Sequence, residues 1–209
     1  MQSNVSMSVV RRLPRYYRFL GELKKQGYTR ISSRELSQRM GLTASQIRQD
    51  LNCFGGFGQQ GYGYNIELLY GEIGRILGLD SLQRIIIVGA GNMGRAIANH
   101  MSFEDRGFRL IGIFDSKESR IGQMVAGMPI RNVADLDEFC RSELPTAAVL
   151  TVPVGAASAI GDQLVKLGIK GIWNFSHYDF GNRYSDVTVE NVHLGDSLMT
   201  LRYKVNEHK

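Results

Sequence analysis

The spacing of apolar residues changes character partway along the chain. Up to residue 77 they recur at helical intervals in short blocks. From residue 84 onward, continuous apolar runs alternate with helical blocks. Pro14 suits a first helical turn, where its missing N–H costs little. Tyr17, Leu20 and Leu23 then give a helix over 14–26 one apolar side. Ser32 and Glu35 form a capping box that opens a second helix, with Leu36 and Met40 on one face and Gly41 as its stop. Thr43 and Gln46 offer another box and predict a third helix to residue 54. At about 100° per residue, Ala44, Ile47, Leu51 and Phe54 face inward, leaving Ser45, Arg48, Gln49 and Asn52 outward. Two short helices joined at Gly41-Leu42 are a helix-turn-helix. The glycines from Gly55 to Gly63, interleaved with Phe57, Tyr62 and Tyr64, predict a tight hairpin acting as a wing. Asn65 caps a closing helix carrying Leu68, Leu69, Ile73 and Leu77. Residues 1–7 read as a loose polar tail.

The second half predicts an open α/β sheet. Residues 84–88 are a strand buried on both faces, followed at once by Gly89-Ala90-Gly91-Asn92-Met93-Gly94 and a helix over 95–101. The next strand, 109–114, ends at Asp115, 21 residues after Gly94. A GxGxxG string alone is weak, but between a buried strand and a helix, with an acid at the next strand's end, it is a specific dinucleotide fingerprint. Gly89 permits the turn, Gly91 lets backbone approach a pyrophosphate and Gly94 lets helix and strand pack closely. The helix N-terminus supplies N–H groups to the phosphates. Asp115 suits ribose hydroxyls and repels a 2′-phosphate, which favours NAD(H) over NADP(H), although Lys117 and Arg120 lie nearby. Further strands are expected at 147–152, 171–175 and 187–194, with a helix over 156–167. Ligands of such sheets sit beyond the strands' carboxyl ends, which places Thr151, Val152, Pro153, Asn174 and Phe175 at the nicotinamide end. The fold class is therefore α/β. A winged helix-turn-helix domain (1–80) precedes a Rossmann domain with a doubly wound parallel sheet (81–195) and a C-terminal helix (196–209).

Charge sharpens the picture. The chain's net charge is +5, yet residues 1–52 carry ten bases against three acids, and from Ser81 onward bases and acids balance at 14 each. A basic module joined to a neutral one suits a polyanion partner, here double-stranded DNA. Arg48 matches guanine edges, and Gln49 and Asn52 match adenine. Cys53 and Cys140 form no CxxC pattern, and the four histidines share no ligand spacing, so no metal is expected. With no apolar signal core and no run of about 20 apolar residues, a cytoplasmic protein without membrane association is expected. No Tyr-x-x-x-Lys pair occurs, and the tail after residue 194 is too short for a substrate domain. That favours a sensor over the alternative, a small NAD-dependent oxidoreductase with an accessory basic domain.

The segments Arg12-Leu13-Pro14, Tyr16-Tyr17-Arg18, Gln46 to Leu51, Phe54 to Gly58 and Gly61 to Asn65 resemble the Rex family of redox-sensing repressors. So do Gly89 to Gly94, Thr151-Val152-Pro153 and Gly168 to Ile172. The resemblance implies a homodimer on a palindromic operator that releases DNA when NADH binds, with NAD+ bound more weakly. It also implies that the last helix is exchanged between protomers. The implied DNA-binding set is Ser45, Gln46, Arg48, Gln49 and Asn52, the wing residues Phe57, Gln59, Gln60 and Tyr62, and Arg12. Gln59 and Gln60 stand where the family commonly carries Lys or Arg, which weakens wing contacts to phosphate. The C-terminal segment matches the family's last helix only through Asp196 and Leu201.

Overall fold

The computed structural model describes residues 5–55, 58–59 and 62–207. The chain forms two compact units, Met1–Asp80 and Ser81–Lys209.

The first unit begins with a single helical turn, α1 (Met7–Val10), which overlaps the expected polar tail over 1–7 only at Met7, and α2 (Leu13–Lys25). β1 (Arg30–Ile31), α3 (Ser33–Met40), α4 (Ala44–Asn52), β2 (Gly58–Gln59), β3 (Gly63–Asn65) and α5 (Ile66–Ile76) follow. The Ser32–Glu35 capping box is complete, and Gly41 ends α3 in the left-handed conformation (φ 62°). At α4 only half the expected box forms. Thr43 accepts from the Gln46 amide, but the Gln46 side chain turns to Asp50 instead. The strands make an antiparallel sheet in the order β1-β3-β2. Leu13, Leu20, Leu36, Ile47, Leu51 and Ile73 are buried in one core, where they gain the apolar burial that isolated helices of this length lack.

The second unit runs β4 (Gln83–Val88), α6 (Asn92–His100), β5 (Phe108–Asp115), β6 (Met124–Val125), β7 (Met128–Asn132) and α7 (Leu136–Glu143). It continues through β8 (Ala147–Leu150), α8 (Val154–Lys166), β9 (Gly171–Asn174), β10 (Thr188–Asn191) and α9 (Leu194–Glu207). The sheet order is β10-β9-β8-β4-β5-β7-β6, with every pairing parallel except β6 with β7. Ile86, Val88, Phe114 and Leu150 face one core; Ile85, Ile87, Ile113 and Val149 face the other. Burial on both faces explains the unbroken apolar run in β4. From central β4 the chain winds outward to β5 and β7, then returns to β8 on the other side. The direction reverses at the carboxyl ends of β4 and β8, where a ligand crevice is expected. β6, β7 and α7 lie in a stretch for which the pattern predicted nothing, because their strands are short and α7 buries only Leu136 and Cys140. All described residues of α9 are exposed, Leu198 and Met199 by 67% each.

Candidate functional site

At the reversal point the backbone is shaped by its glycines. Gly89 adopts φ 104°, and a Cβ there would lie 2.6 Å from the Thr151 carbonyl oxygen. A Cβ on Gly94 would lie 1.9 Å from the Gly89 carbonyl oxygen and 2.8 Å from Thr151 Oγ1. Both glycines are therefore needed for the loop's own packing. Gly91 differs: the nearest atom its Cβ would meet is Arg120 Nη1 at 3.9 Å. The space beside Gly91 is open, and Gly91 caps the N-terminus of α6. Amides at such a terminus favour an anion. Thr151 Oγ donates to the Gly89 carbonyl (2.6 Å), tying the end of β8 to the loop.

Asp115 ends β5 and is 6% exposed. Its Oδ2 accepts from the Ala90 amide (2.7 Å) and Arg120 Nη1 (3.0 Å), and Oδ1 accepts from the Lys117 amide (2.8 Å). Burial pushes this carboxyl upward. The two amides and the guanidinium outweigh it and hold it below the ordinary carboxylate value. An ionised, fixed acceptor at this spot suits ribose hydroxyls. Asn92 and Met93 are exposed on the first turn of α6, while Ala90 is fully buried and offers only its backbone.

At the opposite end Thr151 and Val152 are half-buried and Pro153 is exposed. Phe175 is half-buried and meets Trp173 edge-on with centroids 4.7 Å apart. Asn174 is 1% exposed and its side chain is fully engaged within the protein. Nδ2 donates to the Tyr178 carbonyl and to Asn191 Oδ1, both at 2.7 Å, and Oδ1 accepts from the Ser176 amide and hydroxyl. Expected to touch cofactor, Asn174 instead braces the loop after β9, since a buried amide must satisfy its own donors and acceptor.

In the first unit α4 presents Ser45, Arg48, Gln49 and Asn52 to solvent, while Ile47 and Leu51 are buried. Arg48 Nη1 donates to Ser33 Oγ (3.2 Å) at the start of α3. Arg12 and Gln46, expected to face DNA, turn inward. Asp50 is fully buried and receives Arg12 Nε (2.6 Å) and Nη2 (2.7 Å), the Tyr16 hydroxyl (2.8 Å) and Gln46 Nε2 (2.8 Å). Burial pushes Asp50 upward, but these four hydrogen bonds and the Arg12 charge win and hold it below its usual value. A carboxylate so buried requires a cation and donors, which is why Arg12 and Gln46 are drawn away from the surface. The Asp50 network was missed because its partners lie up to 38 residues apart, and periodicity carries no sign of them.

Of the wing, Tyr62 is 71% exposed, and Arg30 lies over its ring (5.9 Å) while donating to its carbonyl. Arg30, exposed beside the wing, was not singled out from sequence, although its place within the basic segment marked it. The Gln59 backbone lies in β2, whereas Phe57 and Gln60 fall outside the described residues. Among the described residues, no cluster of His, Cys, Asp or Glu is arranged to hold a metal, and no helix is long and apolar enough to cross a membrane.

Comparison with known proteins covers both units. Residues 4–52 match the family described as "Putative DNA-binding protein N-terminus", and residues 80–178 match the "CoA binding domain" family. The chain is 54% identical over 205 residues to the redox-sensing transcriptional repressor Rex of Caldanaerobacter subterraneus subsp. tengcongensis (98% of this chain, 91% of the relative). It is 51% identical over 208 residues to Rex of Thermoanaerobacter pseudethanolicus (100% and 92%). Among solved structures it resembles RSP in complex with NAD+ and operator DNA at TM-score 0.90 and 52% identity (99% of this chain, 95% of that one). RSP in complex with NADH also matches, at TM-score 0.90 and 49% identity (99% and 97%).

Proposed function

The chain belongs to the Rex family of redox-sensing transcriptional repressors, and from that premise we propose how its two units divide the work. It is a DNA-binding repressor regulated by the NADH/NAD+ balance. The first unit holds a double-stranded, palindromic operator as one half of a homodimer. Arg48, Gln49, Asn52 and Ser45 enter the major groove, Tyr62 and Gln59 together with Phe57 and Gln60 follow as the wing, and Arg30 supplies a cation beside it. The observation that carries this assignment is the exposed polar face of α4 opposite an inner face that buries Ile47, Leu51 and the ion-paired Asp50, in a segment with ten bases against three acids.

The second unit binds dinucleotide through Gly89, Ala90, Gly91, Asn92, Met93 and Gly94, with Asp115 on the adenosine ribose. Thr151, Val152, Pro153 and Phe175 lie toward the nicotinamide. NAD+ carries a positive ring charge that NADH lacks. An apolar end formed by Val152, Pro153 and Phe175 penalises the cation by desolvation, so NADH binds more tightly. NADH then favours a dimer arrangement whose two α4 helices no longer match successive major grooves. The dinucleotide is read rather than turned over. The exposed apolar positions of α9, Leu194, Leu198, Leu201 and Val205 among them, suit docking on a second copy. The test is a gel shift on a duplex that the chain itself selects from a random-sequence pool. NADH is expected to release the duplex and NAD+ to leave it bound; retention with both would reject the assignment.

A further inference from the structure

Arg120 is not part of the glycine fingerprint, yet it stands beside it, between Asp115 and Gly91. Its Nη1 lies 3.0 Å from Asp115 Oδ2, and the same nitrogen is the nearest protein atom to the side of Gly91 that a Cβ would fill, at 3.9 Å. The guanidinium thus bridges the place that fixes a ribose and the place where backbone approaches a diphosphate. It is 35% exposed, and of its five N–H groups one is engaged in a hydrogen bond among the described residues. Gln123, three residues on, is held by Arg95, a cation on α6 already committed elsewhere.

We infer that Arg120 is a ligand of the adenosine end of the dinucleotide and the second determinant, with Asp115, of which dinucleotide is accepted. This rests on the reading of the crevice as a dinucleotide site. Asp115 accepts from the ribose hydroxyls, while remaining N–H groups of Arg120 donate to a hydroxyl oxygen and to the adjacent phosphate. Two consequences follow from where it stands. Arg120 contacts the part shared by NADH and NAD+, so it sets affinity for both and not the ratio between them. It also opposes Asp115 over a 2′-phosphate: the carboxylate repels that group and the guanidinium attracts it. Discrimination against NADP(H) therefore comes from Asp115 alone, with Arg120 acting against it.

The experiment is calorimetric titration of the full chain with ADP-ribose, NADH, NAD+ and NADPH, with circular dichroism to verify folding. ADP-ribose has no nicotinamide, so its binding tests Arg120 without reference to redox sensing. Arg120→Gln is expected to weaken ADP-ribose, NADH and NAD+ alike by about tenfold, chiefly through loss of the charge-assisted hydrogen bond to the phosphate. Asp115→Asn should shift preference toward NADPH, and adding Arg120→Gln to it should abolish that shift while weakening ADP-ribose further. Unchanged ADP-ribose binding in Arg120→Gln would overturn the assignment. So would an effect of Arg120→Gln that disappears in the Asp115→Asn background, because Arg120 would then act only by orienting Asp115. A protein that follows the expected ADP-ribose pattern but holds DNA regardless of NADH upholds Arg120 and removes the redox reading.

Discussion

Each unit is organised around a buried carboxylate held below its usual pKa, and the two are used in opposite ways. Asp50 receives Arg12, Tyr16 and Gln46, all side chains of its own unit, and is wholly shielded from solvent. Its charge joins α4 to α2, so that the face of α4 carrying Arg48, Gln49 and Asn52 has a fixed direction. Asp115 is tied to two loop amides and one partly exposed guanidinium, and it lies at the carboxyl end of β5 beside the glycine loop. Its charge orients the loop at the carboxyl end of β5, the side on which open α/β sheets take their ligands. A carboxylate closed off on every side fixes an element; one anchored mainly by backbone can also serve a partner. The glycines make a parallel contrast, since a Cβ on Gly94 would collide with the Gly89 carbonyl whereas one on Gly91 would meet open space.

The largest effect should come from breaking the closed network. Arg12→Ala leaves Asp50 buried without its cation and should destabilise the first unit by about 3–5 kcal/mol, toward the lower figure because Arg12 is 28% exposed. Urea denaturation followed by circular dichroism measures this. Dinucleotide binding by the second unit should persist, and a concerted loss of both would merge what is here separated.

Next come the glycines. Gly94→Ala drives a methyl into the Gly89 carbonyl, with an expected cost of about 1–3 kcal/mol to the second unit and loss of NADH binding. Gly91→Ala should leave stability unchanged and still weaken NADH. Equal melting losses in the two variants would erase the distinction between a packing glycine and an approach glycine.

Arg48→Ala sharpens the first unit's side of the comparison. Operator affinity should fall by about 1–3 kcal/mol, with NADH affinity unaltered. Fluorescence anisotropy on a labelled duplex reads the first and calorimetry the second. An unaffected operator affinity would move recognition away from this face of α4.

The smallest effect is acid sensitivity. Asp50 is depressed in the folded chain, so its network contributes stability above the unfolded carboxylate value of about 4, and that contribution is lost as pH falls through the lower folded value. The first unit's melting temperature should therefore decline on the acid side, and Asp50→Asn should flatten that decline. An acid limb identical in both proteins would show that other groups govern it.

What could be read from sequence was local in character. The capping box at Ser32, the inward face of α4 and the strand-loop-helix from β4 through Gly94 to α6 each rest on residues within a few positions of one another, and propensity and periodicity report such neighbours. Asp115 was within reach because the second strand's length fixes its distance from the glycines. The Arg12–Asp50 pair, the saturation of Asn174 by Tyr178, Asn191 and Ser176, and the Arg120–Asp115 bridge arise only when distant or looped segments meet. Asn174 illustrates the limit: the sheet rule placed it correctly at a strand's carboxyl end, but which way its amide is satisfied depends on a loop with no periodic signal. β6 and β7 escaped because strands of two and five residues are too short for alternation to register.

The coupling between the units is tested most directly by holding total dinucleotide constant, varying the NADH:NAD+ ratio, and following anisotropy of a labelled operator duplex. Occupancy should decline steadily as the reduced fraction rises and return when NAD+ is restored. Occupancy that tracks total dinucleotide and ignores its redox state would contradict the account.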